Sequence, residues 1–497
     1  MLKLLTSEQT RLADIYTIQN EPVSSVDLME RAAQAFVAVF RENYPEKERT
    51  ISIYCGTGNN GGDGLAIARL LDQEGYLNLS VKVIRFASRW TLDFLENFDR
   101  IQTLKIPVVE IKETDPFPVE DAELIIDALL GTGLNKPLEG AWKELVIWIR
   151  SLNRTIVSVD IPTGFASEGP VGAKDIAVKS NLTITFQRPK INFLLPESQS
   201  YIERFEVVDI KLDEQYIQSQ DSGFQLLTGN LIKERLLKRK PFDHKGTFGH
   251  ALVVAGAPET MGAALLCSEA VLKTGAGLTT ACVPAEGLAA LNARLPEVMA
   301  ALRVNGELPK DLNWEKYSAL AIGPGLGIFA TSKAILEETI KNFSKPIVFD
   351  ADALNLLARN PDLLASIPEG SVLTPHVKEF DRLFGDHNSW WERVETGRAK
   401  AGLLRSFIIL KNRYTIIITP DGQCIFNPTG TPAMASGGMG DVLTGIITSF
   451  LAQGYSSENA ALLGVYLHGK AGEDVAKPVV IASEVIQQLQ HSLKAFL

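Results

Sequence analysis

The stretch Asn427-Pro-Thr-Gly-Thr-Pro-Ala-Met-Ala-Ser-Gly-Gly-Met-Gly-Asp441-Val-Leu-Thr-Gly-Ile446 sets Gly437, Gly438 and Gly440 directly ahead of a carboxylate and an apolar run. Glycines reach backbone angles that other residues avoid, so successive N–H groups can face one concavity. A helix opening near Met439 adds its own free N–H groups and the positive end of its dipole. Gly437, Gly438, Met439 and Gly440 therefore read as an anion hole. Asp441 beside it is placed to remove a proton, as a catalytic base.

Working outward, the same grammar of strand, polar turn and helix fills the chain. At 497 residues, 45% hydrophobic and 22% charged, it has the composition of a globular protein with two or three domains. A net charge of −10 argues against nucleic acid or acidic membrane surfaces as partners. Cys55, Cys267, Cys282 and Cys424 lie in apolar segments without a CxxC pattern, which predicts buried free thiols. The opening residues Met-Leu-Lys-Leu-Leu-Thr-Ser-Glu are too short an apolar run for a signal peptide. No stretch approaches the ~18 apolar residues of a membrane span, so a cytoplasmic protein is expected.

Short β-rich runs at 51–55, 79–85, 124–126, 155–159, 182–186 and 205–209 are mostly separated by room for a crossover helix. They predict a parallel sheet covered on both faces. The polar, aperiodic segment from Lys211 to Phe224 reads as a linker. Further strands at 251–256, 278–283, 318–322, 346–349, 371–373, 407–410 and 414–418 then precede three helices near 441–453, 457–476 and 482–493. The prediction is α/β with two domains, residues 1–215 and 225–497.

In the first half, Gly56-Thr-Gly-Asn-Asn-Gly-Gly-Asp-Gly64 follows a strand and precedes a helical run beginning at Leu65. It is neither the GxGxxG fingerprint nor a Walker A loop, and a bare strand–helix turn capped by Asp63 is the plainer reading. Its five glycines exceed what such a turn needs. Two further strand ends carry carboxylates, Asp127 before the loop Gly131-Thr-Gly-Leu-Asn-Lys-Pro137, and Asp160 before Ile-Pro-Thr163. Asn60, Asp127 and Thr163 offer only oxygen donors, a set suited to a hard cation. Asp160 could act on an exchangeable proton.

In the second half, Gly323-Pro-Gly-Leu-Gly327 allows close backbone approach after a strand. Thr374-Pro-His376-Val-Lys-Glu379 puts an imidazole near a carboxylate, and Lys411-Asn-Arg-Tyr-Thr415 lies between two strands with two cations. A glycine anion hole, a base and a cationic loop are the parts of phosphoryl transfer.

Gly437–Asp441, with Thr374–Glu379 and Gly323–Gly327, resembles the ribokinase-like ADP/ATP-dependent NAD(P)H-hydrate dehydratases. Asn59–Gly64, with Asp127 and Asp160–Thr163, resembles the NAD(P)H-hydrate epimerase domain, which has a Rossmann-like three-layer fold. Fused in this order, the two are similar to the bifunctional NAD(P)H-hydrate repair enzymes. The resemblance implies interconversion of the R and S hydrates of NADH and NADPH by the first domain. It implies nucleotide-dependent dehydration of the S hydrate by the second, giving AMP and phosphate from ADP.

The implied hydrate contacts of the epimerase are Asn59, Asn60, Gly61, Gly62, Asp63, Gly131, Thr132, Gly133, Leu134, Asn135, Lys136, Pro137 and Asp160. Potassium would lie on Asn60, Asp127 and Thr163. The dehydratase would hold its hydrate with Ala264, Gly327, His376 and Asp441. Its nucleotide, ADP or ATP with Mg²⁺, would lie on Lys411, Asn412, Arg413, Tyr414, Thr415 and Gly440. A homo-oligomer, tetramer or higher, is also implied. Asn412 stands where the family usually has glycine, and Thr431 where it often has asparagine. Two rival readings are a ribokinase-like small-molecule kinase and a non-catalytic first domain.

Overall fold

A computed structural model describes residues 1–87, 89–133, 136–172 and 174–497. The chain divides into two compact units. One comprises residues 3–222 with 389–391, and the other residues 1–2, 223–388 and 392–497.

The first unit is built on a seven-stranded sheet in the order Val108–Lys112, Asn78–Arg85, Thr50–Cys55, Leu124–Ala128, Thr155–Val159, Leu182–Phe186, Phe205–Val208, with every pairing parallel. Side chains alternate between the faces. Ile51, Ile53 and Cys55 pack under the helices Ser25–Asn43, Asn59–Gln73 and Leu92–Ile101, while Tyr54 faces the helix Gly140–Ser151. Phe36 and Phe40, a turn apart on one face of Ser25–Asn43, are both fully buried. Each contributes about 1.5–3 kcal/mol through that burial. The strand order reverses between Thr50–Cys55 and Leu124–Ala128, so a crevice opens there at the carboxyl ends of the strands.

Two expectations need correcting. The helix predicted from Leu65 begins at Asn59, so Asn59–Gly64 form its opening turns rather than a loop. This is possible because Gly61 presses on the preceding turn: a Cβ there would lie 1.8 Å from the Gly56 carbonyl oxygen. The segment read as a linker also contains the helix Glu214–Ser219, whose Ile217 is fully buried in the first unit's core. Leu212, Tyr216 and Ile217 in an otherwise polar run are too few to show a helical period.

The second unit holds an eleven-stranded sheet. Its parallel part runs Phe407–Leu410, Val372–Leu373, Ile347–Phe349, Ala319–Ile322, His250–Val254, Leu278–Pro284, Met299–Arg303. Beyond Phe407–Leu410 the sheet turns antiparallel through Ile416–Ile418 and Cys424–Phe426. Helices Met261–Thr274, Met439–Ala452, Ser457–Asp474 and Ala482–Lys494 cover one face; Ala330–Asn342 and Asp352–Arg359 cover the other. The order reverses between His250–Val254 and Ala319–Ile322, which again sets a crevice at the carboxyl ends. All four cysteines are free and buried. Among the described residues no helix is long and apolar enough to cross a membrane.

Candidate active sites

In the first unit the helix Asn59–Gln73 starts at Gly58, which supplies no side-chain cap, so the first N–H groups remain available to a ligand. Asp127, at the end of its strand, is fully buried. Its Oδ2 accepts hydrogen bonds from Ser158 Oγ and Thr163 N, both at 2.9 Å, and its Oδ1 accepts one from Thr163 Oγ1 at 2.6 Å. Burial pushes its pKa above the usual carboxylate range, against these hydrogen bonds. Thr163 Oγ1 in turn accepts from Leu130 N at 3.0 Å.

Asn60 closes the group, because a Cβ on Gly131 would lie 3.3 Å from Asn60 Cβ. The buried Asn60 Nδ2 has no hydrogen-bond partner among the described residues. Segment 127–131 thus links Thr163 at its start to Asn60 at its end. A buried carboxylate hydrogen-bonded only to neutral donors suits a cation held by oxygen.

Asp160 ends its strand with φ of +62°, in the left-handed region. Its Oδ1 accepts from Lys190 Nζ at 2.6 Å, Phe186 N at 3.0 Å and Thr185 Oγ1 at 3.1 Å. The pKa of Asp63 is pushed well up by burial, then by Asp160, Asp14 and Asp93. Asp14, on the helix Ser7–Asn20, is pushed up to about 7 by burial and then Asp160, with Lys190 opposing. That helix is pinned at its start, where Ser7 N and Oγ donate to Glu168 Oε1 at 3.0 and 2.6 Å.

Lys190 and Asp14 belong to this cluster, and sequence reasoning missed both. Lys190 follows a strand in no recognisable pattern, and Asp14 resembles any polar helix residue. Gly131, Thr132, Gly133, Lys136 and Pro137 follow Asp127 in the chain, whereas Leu134 and Asn135 lie outside the described residues.

In the second unit, Gly438 caps the helix Met439–Ala452 with φ of +87° and no side-chain cap, a backbone state that glycine adopts freely. Asp441 lies in the first turn. Its pKa is pushed up to about 7 by burial, then by the charge of Asp350, with Lys411 opposing and Asp352 adding to the rise. Asp350 is itself buried, at the end of the strand Ile347–Phe349. Burial works to raise its pKa, but Lys411 and several hydrogen bonds hold it below the usual range. Lys411 Nζ donates to Asp350 Oδ1 at 2.9 Å, and Thr444 Oγ1 donates to Oδ2 at 2.8 Å.

A Cβ on Gly440 would lie 3.3 Å from Lys411 Nζ and 3.5 Å from Asp350 Oδ2. The glycine turn, its base and the cation of the Lys411–Thr415 loop are thereby brought together.

His376 caps the helix Val377–Phe384 through its side chain. Its Nδ1 accepts from Lys378 N at 3.1 Å and Glu379 N at 3.3 Å, so the ring proton resides on Nε2. Burial, then Lys411 and Arg382, lower its pKa, and the neutral ring presents an N–H donor from a half-exposed side chain. Its backbone bridges to Lys411 on the adjacent strand.

Gly327 donates its N–H to Asp352 Oδ2 at 2.8 Å. Ala264 is fully buried on the helix Met261–Thr274. In the Lys411–Thr415 loop, Thr415 Oγ1 donates to the Asn412 carbonyl at 3.1 Å and Arg413 stacks on the Tyr414 ring at 4.7 Å.

Sequence reasoning missed Asp350, Asp352 and Thr444. The available signal was Val348-Phe-Asp350-Ala-Asp352, a strand end bearing carboxylates like those at Asp127 and Asp160.

The family described as NAD(P)H-hydrate dehydratase matches residues 251–493, and that described as YjeF-related protein N-terminus matches residues 25–192. The bifunctional NAD(P)H-hydrate repair enzyme of Moorella thermoacetica is 33% identical over 99% of this chain and 95% of its own length. That of Escherichia coli strain K12 is 35% identical over 90% of this chain and 85% of its own length. A crystal structure of the ADP/ATP-dependent NAD(P)H-hydrate dehydratase from Bacillus subtilis, co-crystallised with ATP and Mg²⁺, is 30% identical. It covers 55% of this chain and 99% of its own, with a TM-score of 0.49. With both halves matched and the full-length likeness spanning nearly every residue, the chain belongs to the family of bifunctional NAD(P)H-hydrate repair enzymes, an epimerase domain followed by a ribokinase-like dehydratase domain.

Proposed function

We infer that this chain repairs hydrated NADH and NADPH, with residues 1–215 interconverting the R and S hydrates and residues 225–497 dehydrating the S hydrate at the expense of ADP or ATP. The observation that carries the second activity is the placement of Asp441, a carboxyl pushed up to about 7, beside the capless glycine turn and the Lys411–Asp350 pair. A base with a pKa near the working pH combines availability with driving force.

Asp441 takes the proton of the ring hydroxyl as that oxygen attacks the terminal phosphoryl group of ADP. The P–O bond to AMP breaks, and the N–H groups of Gly437–Gly440 and the Lys411 ammonium face the transferring charge. Phosphate is a far better leaving group than hydroxide. Its departure with loss of a neighbouring ring proton restores the dihydronicotinamide, leaving AMP and phosphate. The neutral His376 would donate from Nε2 to the hydrate, with Ala264 and Gly327 lining the same subsite. Lys411, Asn412, Arg413, Tyr414, Thr415 and Gly440 would hold the nucleotide.

No group of three or more His, Cys, Asp or Glu able to hold a metal occurs among the described residues. This suits Mg²⁺ entering on the nucleotide's phosphates, where it would neutralise phosphoryl charge.

In the first unit, Asp160 acts on the exchangeable proton of the hydrate, with Lys190 fixing its orientation. Asn59 to Asp63 and the loop from Gly131 to Pro137 would contact the substrate. Asn60, Asp127 and Thr163 would hold potassium, whose charge would balance the buried Asp127. The burial of Asp127 among neutral hydrogen-bond donors supports that assignment. A cytoplasmic homo-oligomer of four or more copies belongs to the same reading, on family resemblance.

The test follows separated hydrate epimers over time, with and without ADP and potassium. Epimer exchange without nucleotide, and recovery of NADH absorbance only with it, are expected. Accumulation of a stable phosphorylated hydrate would identify a kinase and overturn the dehydratase reading.

A further inference from the structure

The dehydration releases two protons from the hydrate, one from the ring hydroxyl and one from the ring carbon beside it. Asp441, protonated by the first, has no place for the second. The other groups near it are mostly committed. Asp350 accepts from Lys411 Nζ through Oδ1 and from Thr444 Oγ1 through Oδ2. Glu379 is buried, and its Oε2 accepts from His376 N at 2.9 Å. His376 accepts through Nδ1 and carries its proton on Nε2.

Asp352 differs from these. It is partly exposed, its Oδ2 accepts from Gly327 N at 2.8 Å, and its Oδ1 accepts no hydrogen bond from the described residues. It also stands close enough to Asp441 for its charge to raise that residue's pKa. The carboxylate is therefore near both Gly327 and Asp441.

The backbone holds it there under strain. Ala351 has φ of +48° and ψ of −116°, a region alanine rarely adopts and one that persists where the surroundings impose it. This turn sends neighbouring carboxylates to different partners, Asp350 to Lys411 and Asp352 to Gly327. Segment 323–327 braces it. A Cβ on Gly323 would lie 1.9 Å from the Asp350 carbonyl oxygen and 2.9 Å from Ala353 N. Thr260 Oγ1 donates to the Gly325 carbonyl at 2.6 Å, tying the same segment to the start of the helix that carries Ala264.

We propose that Asp352 is the second base of the dehydration, accepting through Oδ1 the proton of the ring carbon next to the phosphorylated one. This rests on the reading of the second unit as a dehydratase with Gly327 against the hydrate. Phosphate leaves with the electron pair of the C–O bond, and the ring nitrogen's lone pair forms a C=N bond to the same carbon. Asp352 then takes the neighbouring proton. The C–H pair becomes the ring C=C bond, the C=N pair returns to nitrogen, and no further reactant is consumed.

The experiment is a single turnover of the S hydrate with ADP and Mg²⁺ on the full chain and on its Asp352→Asn and Asp352→Ala variants. It is run at pH 8, above the range in which Asp441 titrates. AMP and NADH are followed separately, and the hydrate is used with and without deuterium at both positions of the neighbouring carbon. Asparagine keeps an acceptor for Gly327 N but is not a base. In Asp352→Asn, AMP should form within a few-fold of the wild-type rate, while NADH appears about 10²–10⁴-fold more slowly. A phosphorylated hydrate should accumulate, and deuterium should slow its decay. Asp352→Ala should show the same lag together with a raised KM for the hydrate, because the Gly327 contact is lost as well. NADH that keeps pace with AMP in Asp352→Asn would overturn the proposal and point to the departing phosphate as the base. Equal slowing of AMP and NADH would also overturn it. A wild type that forms AMP but never NADH would instead overturn the dehydratase reading beneath it.

Discussion

Lys411 Nζ lies 2.9 Å from Asp350 Oδ1, joining a loop cation to a buried strand-end carboxylate 61 residues earlier in the chain. The pair does two things at once. It gives Asp350 a counter-charge it needs in the core, and it holds the ammonium against Gly440, at the mouth of the glycine turn.

Removing one partner strands the other. Lys411→Met should leave Asp350 buried with Thr444 as a neutral donor but no cation. Breaking a buried pair in this way costs about 3–5 kcal/mol. Urea unfolding of the second unit's transition should show a loss of that order, alongside loss of nucleotide binding. A variant as stable as wild type would mean the pair is solvated in solution.

Asp441→Asn should lower the dehydration rate about 10²–10⁴-fold while leaving epimer exchange intact. In the wild type the rate should rise with pH through about 7, where Asp441 ionises. Asp350→Asn removes the like charge that helps hold Asp441 up, so the midpoint of that profile should move to lower pH. A midpoint that stays in place or rises would contradict the coupling.

Asp441 also predicts a stability trend. An acid whose folded pKa exceeds its unfolded value, here about 7 against 3.8, binds its proton more tightly in the folded state. Its contribution is fully present below about 3.8, declines as pH rises through the interval, and is lost above about 7. Asp441→Asn should therefore be more stable than wild type at pH 8, by up to about 4 kcal/mol, with the gap narrowing to less than half of that at pH 5. Denaturant titrations at the two pH values measure it.

Thr163→Val keeps the side chain's shape but removes the 2.6 Å hydrogen bond to Asp127 and one oxygen from the cation set. The potassium concentration that half-activates epimer exchange should rise about 10–100-fold, with dehydration of the S hydrate unaffected. An unchanged potassium response would remove Thr163 from the site.

Gly61→Ala would place a methyl group 1.8 Å from the Gly56 carbonyl oxygen. Relieving that overlap must shift the opening turn of Asn59–Gln73, at about 1–3 kcal/mol. Epimer exchange should collapse while the second unit still dehydrates the S hydrate, which assays on separated epimers can resolve.

Much of this was legible in the chain. Gly437–Asp441 announced an anion-binding helix start, and Asp127 and Asp160 announced polar strand ends, because backbone freedom and strand periodicity are written in neighbouring residues. Asn59–Gly64 was read as a loop for the same reason. Local propensity counts three glycines against a helix, and only the packing of Gly61 on the Gly56 carbonyl shows why they are there. Asp350 sat unremarked between Phe349 and Ala351, although it shares the logic of the other two strand ends.

The sequence by itself determined two α/β units, the glycine turn with its base, and the carboxylates at the strand ends. Those features depend on short-range sterics and on the alternation of apolar residues. Only the tertiary structure decided that Lys411 neutralises Asp350, that Lys190 answers Asp160, that Asp14 joins their cluster, that His376 carries its proton on Nε2, and that Asp441 is pushed up to about 7. Desolvation and charge pairing act between residues the fold brings together from far apart in the chain, and no local pattern encodes which of them will meet.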